Sequence, residues 1–333
     1  MTTAPHPRAA LFGHDAPPST LPVVDHYCGV ESRMRKSLAL QAELGPVFDI
    51  TLDAEDGAPV GGEAEHALLI CELATGAANR FGRVGARVHP WGHAAFEAEV
   101  DTLIAKAGHR LAYLMIPKPQ DADELASAVT TIDAACDRHG QPRLPLHTLI
   151  ETHGALRDVF RIAAHPRIES LSFGLMDFVS AHRGAIPKSA MELPGQFEHP
   201  LVVRAKLEIS AAAHAFGKTP SHGVVTEFRE TERLAAAARR AAQEFGYTRM
   251  WSIHPDQIRT IVDAFAPAAD EIDEAATLLL QAQAARWAPI SFDGRLHDRA
   301  SFRYFWTVLE QAARTGRPLP DAARQAFFPA TIG

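Results

Sequence analysis

Short apolar runs of strand type alternate with longer amphipathic stretches through residues 47–173, and this alternation constrains the fold more than any other feature. The runs are 47–52, 84–88, 111–116, 146–150 and 170–173, and a weaker one at 201–203 opens a helical segment. Between them lie helical patterns at 33–44, 96–107, 121–138 and 156–164. Strand–helix units of about 25–35 residues imply parallel strands joined by helical crossovers. A dinucleotide-binding sheet is disfavoured because no GxGxxG sits at a strand–helix junction, and no GxxxxGK(S/T) marks a P-loop. A (β/α)8 barrel needs roughly 250 residues, so 333 leave room for terminal additions. The expected architecture is therefore a (β/α)8 TIM barrel over residues 21–265, a loose Pro- and His-rich arm at 1–20 and a C-terminal helical extension at 266–333.

The later part is Ala-rich. Residues 231–245 have the composition of a good helix, ended by Gly246, and 268–286 repeat the pattern. The segment WAPISFDGRLHDRASFRYFW then leads through a Gly-containing turn into a further helix at 300–315. Such an extension can cover its own barrel or reach a neighbouring subunit, and the alternation fits both.

A net charge of −7 and a pI near 6.2 argue against a nucleic-acid surface. No apolar run approaches the roughly 18–20 residues of a membrane span. The first twenty residues lack the continuous apolar core of a signal peptide. Cys28, Cys71 and Cys136 are odd in number and form no CxxC, which suits free thiols in a reducing cytoplasm.

Two acids stand in matching settings. Glu151 follows the run 146–150, Asp177 follows the apolar stretch 171–176, and each precedes a helical-looking segment. A carboxylate at the end of a buried strand is costly to desolvate unless something pairs with it. Two of them suggest an oxygen-ligand site for a hard cation such as Mg2+, with Mn2+ as a substitute. Zinc is disfavoured because none of the 17 histidines forms an HExxH. Other strand ends carry Asp53, Glu55 and Asp56, then Lys118 between prolines, and His254 beside Pro255. Each has a plain counterpart: helix-capping acids, a solvated lysine, a histidine filling a turn. Arg87 differs, because its neighbours Ala86 and Val88 have strand character and a buried guanidinium requires anions. Arg also grips carboxylates through two parallel hydrogen bonds, which suits a 2-oxo or 2-hydroxy acid.

In this order, FDITLDAEDGAP, VGARVHPW, AYLMIPKPQDADEL, LHTLIETHGAL, SLSFGLMDFV, MWSIHPDQI and FDGRLHDRAS resemble the HpcH/HpaI aldolase and citrate lyase beta-subunit superfamily, including malyl- and citramalyl-coenzyme A lyases. The matching segments run from about residue 45 to 312. The resemblance implies a (β/α)8 barrel assembled as homotrimers or homohexamers, with Mg2+-dependent lyase activity. It implies Glu151 and Asp177 as metal ligands and Arg87 as the substrate-carboxylate residue. It also implies Asp298, in GRLHD, as a proton carrier delivered into a neighbouring subunit's site.

The chain departs from the family pattern at three places. HYCGVES replaces a Pro-Gly element, Glu63 replaces a lysine, and His89 replaces the asparagine after the strand arginine. Histidines at 147, 153, 182 and 222 are further additions. The leading expectation is cleavage of a citryl-, malyl- or citramalyl-type thioester into an acyl thioester and a 2-oxo acid. The alternatives are a metal-dependent aldolase on free hydroxy-keto acids and an inactive barrel serving as a binding subunit.

Overall fold

The structure is a computed structural model, and it describes residues 5–13 and 21–329. Residues 21–265 form one compact unit. Eight parallel strands close into a barrel in chain order: β1 (Val24–Cys28), β2 (Phe48–Asp53), β3 (Val84–Arg87), β4 (Leu114–Ile116), β5 (Leu146–Ile150), β6 (Ile168–Phe173), β7 (Thr219–His222) and β8 (Arg249–Ser252). β8 pairs with β1 and completes the ring. The expected TIM barrel is present.

Side-chain alternation sorts each strand into two faces. Val24, Phe48, Ile50, Leu52, Val84, Ala86, Leu114, Leu146, Ile150 and Leu171 turn outward and are fully buried with the surrounding helices. The inward face is layered. At its floor Arg249 meets Asp49 at 2.6 Å, Asp25 at 3.1 Å and the carbonyl of Pro22 at 2.9 Å. Tyr113 donates to Asp25 at 3.1 Å and stacks on His147 at 3.9 Å. Above the floor Tyr27, Met115, Leu149 and Trp251 form a small apolar layer. Past it, at the carboxyl ends of the strands, the lining becomes charged again.

β1, β7 and β8 escape a search for apolar runs because they read VDHYC, TPSH and RMWS. Their polar residues line the barrel's interior and its outer contacts with buried partners, so the apolar signal is diluted. The segment at 156–164 is two short helices, His153–Arg157 and Val159–Ala164, divided at Asp158, whose ψ of 13° leaves the helical range.

The second unit combines the chain's two ends, 1–20 and 266–333. Helices Ala269–Ala284, Arg299–Arg314 and Asp321–Phe327 pack around Leu279, Phe302, Trp306 and Leu309. A hairpin of β9 (Ile290–Phe292) and β10 (Arg295–His297) turns at Asp293 and Gly294, both at positive φ as a two-residue turn requires. The segment expected to be a loose arm contains a helix, Pro7–Phe12, whose Leu11 is buried with Phe302 and Trp306. Arg8 adds an ion pair to Glu310. The remainder of that segment, 1–4 and 14–20, lies outside the described residues.

Candidate active site

The strand ends β2 to β6 carry a compact set of charges. Asp53 and Arg87 face each other directly in the β2–β3 register. Asp53 accepts from Nε of Arg87 at 2.7 Å and from Nη2 at 2.5 Å, a bidentate pair. Its two oxygens also accept from the backbone N–H groups of Glu55 and Gly57, closing the turn that follows β2. That turn leaves Glu55 3.0 Å from Nη1 of Arg87. Gly29, from the HYCGVES segment, packs so closely on the carbonyl of Gly57 that a side chain would not fit. Arg87 is 7% exposed and lies over the Tyr27 ring. Burial alone would lower its pKa, but the Asp53 carboxylate outweighs that and holds the guanidinium firmly protonated.

Glu151 stands just beyond β5 and is 3% exposed. Its Oε1 accepts from the Lys118 backbone N–H at 2.9 Å. Burial, and then the charge of Asp177, push its carboxyl up to about 8, against the opposing pull of Arg87. Asp177 lies in the short helix Leu175–Ala181 after β6, half in solvent. Lys118 projects its ammonium into the same space: 2.6 Å from Glu55, 2.7 Å from Asp56 and 3.6 Å from Asp177.

Two mutually repelling carboxylates, one of them nine-tenths or more enclosed, form a donor set that a divalent cation fits. The cation supplies the charge that Glu151 lacks, and oxygen-only ligands suit Mg2+. Among the described residues no three His, Cys, Asp or Glu side chains group as a complete metal site. Water and substrate oxygens would fill the rest of the shell.

The structure thus brings Glu151, Asp177 and Arg87 to the same end of the barrel. Asp298 belongs to the terminal unit, where its side chain caps helix Arg299–Arg314 by accepting from the N–H groups of Ala300 and Ser301. Lys118 is a partly buried bridge rather than a solvated loop charge, and Glu55 is an ion-pair partner rather than a helix cap. The signal for Glu55 was the buried Arg87, which demanded anions from a neighbouring strand. His254 fills a turn: it stacks on Phe228, and its carbonyl accepts from Ser252. His89 has its own partner, with Nδ1 2.5 Å from buried Glu99, and that bond raises its pKa. Glu63 caps the Gly61 turn at the start of helix Glu63–Thr75.

The model of the HpcH/HpaI aldolase/citrate lyase family matches residues 50–255, which span β2 to β8 and every charged group of the barrel site. The chain belongs to this family. Membership makes it a carbon–carbon lyase of the oxo-acid lyase and aldolase type. It is 28% identical over 284 residues to an L-malyl-CoA/beta-methylmalyl-CoA lyase of Cereibacter sphaeroides, covering 79% of this chain and 86% of that protein. A (3S)-malyl-CoA thioesterase of the same species is 31% identical over 246 residues, covering 72% and 76%. Among solved structures, a citrate lyase from Burkholderia xenovorans is 54% identical, with a TM-score of 0.83 over 97% of this chain and 99% of the other. The protein CitE of Mycobacterium tuberculosis, solved with magnesium, acetoacetate and coenzyme A, shares the fold at 19% identity and a TM-score of 0.67, covering 88% and 98%. Among the described residues no helix is long and apolar enough to cross a membrane.

Proposed function

We propose that the chain is a Mg2+-dependent lyase for a hydroxy-carboxyacyl thioester of citryl, malyl or citramalyl type, yielding an acyl thioester and a 2-oxo acid. The observation that carries this reading is the enclosed Glu151–Asp177 pair set at the same strand ends as Arg87. Mg2+ on that pair, or Mn2+ in its place, would polarise the oxygens of the 2-oxo acid half.

The residues of the chain account for the rest. Asp53 takes two of the five N–H donors of Arg87, and Glu55 forms an ion pair 3.0 Å from Nη1. The donors left on the two terminal nitrogens would form a fork for the substrate carboxylate. Asp53 and Glu55 hold that fork rigid, so the substrate meets it already oriented. Asp298 is the candidate proton carrier to the acyl carbon α to the thioester, contributed by a neighbouring subunit of a homotrimer or homohexamer. The thioester form is supported by the names of the coenzyme A-dependent relatives. The three free, buried cysteines suit a cytoplasmic setting.

A panel assay tests the reading. Citryl-, malyl- and citramalyl-coenzyme A and the corresponding free acids are incubated with protein and Mg2+, and 2-oxo acid and free coenzyme A are both measured. Release of 2-oxo acid from a thioester, abolished by chelation, supports the proposal. Turnover of free acids alone makes the chain an aldolase. Free coenzyme A without 2-oxo acid makes it a hydrolase, and absence of Mg2+ binding makes it a binding subunit.

A further inference from the structure

Lys118 touches both acids of the pair. Its backbone N–H holds Glu151, and its ammonium is 3.6 Å from Asp177 while bonded to Glu55 and Asp56. It does this from a left-handed backbone, φ +50°, fixed between Pro117 and Pro119 and unfavourable for a lysine. Strain of that kind persists where the surrounding structure holds the residue in place. The carboxylates here outnumber the cations, and the charge of Arg87 is already taken by Asp53 and Glu55. Lys118 is therefore the positive charge against Asp177.

Resting on the metal-pair reading above, we propose that Lys118 is a positioning residue: a tethered cation that makes Mg2+ binding depend on the 2-oxo acid. A divalent cation entering between Glu151 and Asp177 meets the ammonium as a like-charged rival. Metal alone therefore binds weakly. A 2-oxo acid changes both sides of that balance. Its oxygens complete the metal's shell, and its negative charge gives the ammonium a partner other than Asp177. Each ligand then tightens the other by the same factor, as linkage requires. The arrangement gives Asp177 a counter-charge in the free protein without a metal of high standing affinity.

The test is titration calorimetry of the full chain with Mg2+, with and without pyruvate as the probe acid. Wild-type protein is expected to show coupling of about tenfold or more between the two ligands. Lys118→Met is expected to bind Mg2+ alone about tenfold more tightly and to lose most of the coupling, while Lys118→Arg keeps the wild-type pattern. Lys118→Gly, which accepts positive φ freely and retains the N–H to Glu151, is the second variant and should behave like Lys118→Met. Mg2+ affinity unchanged or weakened in both Met and Gly variants overturns the inference while leaving the metal pair intact. Failure of every protein, wild type included, to bind Mg2+ sinks the metal pair and this inference together.

Discussion

Gly174 stands against Glu151 with no room for a side chain. A Cβ at position 174 would lie 2.5 Å from Cβ of Glu151 and 2.8 Å from its Cδ, and closer still to Oε2. The backbone of Gly174 has φ −87°, which any residue adopts, so the requirement for glycine is one of space and not of conformation. Because Glu151 is walled in, it cannot yield by turning into solvent. Gly174→Ala should push the carboxylate off its bond to Lys118 and lower Mg2+ affinity at least tenfold, with a stability loss of about 1–3 kcal/mol from overpacking. Calorimetric titration and thermal melts measure the two effects separately, and undiminished Mg2+ binding would show that Glu151 is not a ligand.

Glu151 also gives the metal-free protein a pH signature. Its folded pKa, about 8, lies above the ordinary glutamate value of 4.5, so between those values the folded state holds a proton that the unfolded state has released. Stability from this group is fully present below about pH 4.5 and is lost as pH rises through about 8. The melting temperature measured in chelator should therefore decline from pH 5 to 8. Glu151→Gln, uncharged throughout, should flatten that decline and melt above the wild type at pH 8. Equal slopes for both proteins would mean that the carboxyl is not the titrating group.

Much of this site was legible because its chemistry follows strand ends. Arg87 announced itself through strand-type neighbours, and Glu151 and Asp177 through the apolar runs before them. Glu55 and Lys118 were visible only as charges in loops. Their pairing depends on β2, β3 and β4 lying side by side, which no local pattern records. The strands at 219–222 and 249–252 were hidden for a related reason: a barrel with a charged floor places Ser221 and Arg249 where an apolar search expects Leu or Val. The helical content of 1–20 was masked by proline, which is tolerated in the first turn of a helix, as Pro7 is here.

That floor makes a prediction of its own. Arg249 is fully buried and pairs with both Asp25 and Asp49, and burial raises the Asp49 pKa against the pull of Arg249 and Arg83. Arg249→Met keeps most of the volume but leaves buried Asp25 without its cation and Asp49 with only Arg83 at 3.8 Å. A loss of about 3–5 kcal/mol is expected, as when one partner of a buried ion pair is removed. Adding Asp25→Asn and Asp49→Asn to Arg249→Met should recover part of it, because the neutral amides no longer need a cation. Denaturant unfolding of the single and triple variants reads this directly. A single variant as stable as wild type would show that the acids are already protonated in the native floor.

Asp298 caps a helix and is proposed to carry a proton, and the choice of substitution separates the two roles. As N-cap of Arg299–Arg314 it accepts from two backbone N–H groups, a role asparagine fills nearly as well and alanine does not. Asp298→Ala should therefore destabilise the terminal unit by about 1 kcal/mol, whereas Asp298→Asn should melt as the wild type does. Proton transfer makes the opposite demand, since an amide cannot carry the proton. If Asp298 serves the reaction, Asp298→Asn abolishes thioester cleavage in a protein of normal stability. If it serves a neighbouring subunit, an inactive Asp298→Asn protein and an inactive Glu151→Gln protein should restore each other when dissociated and reassembled together. In a randomly mixed closed oligomer half the barrels keep Glu151 and half of those meet an intact Asp298, so about a quarter of wild-type activity should return. Asp298→Asn with full activity would reduce the residue to its cap. Inactivity without recovery on mixing would place its action within one chain.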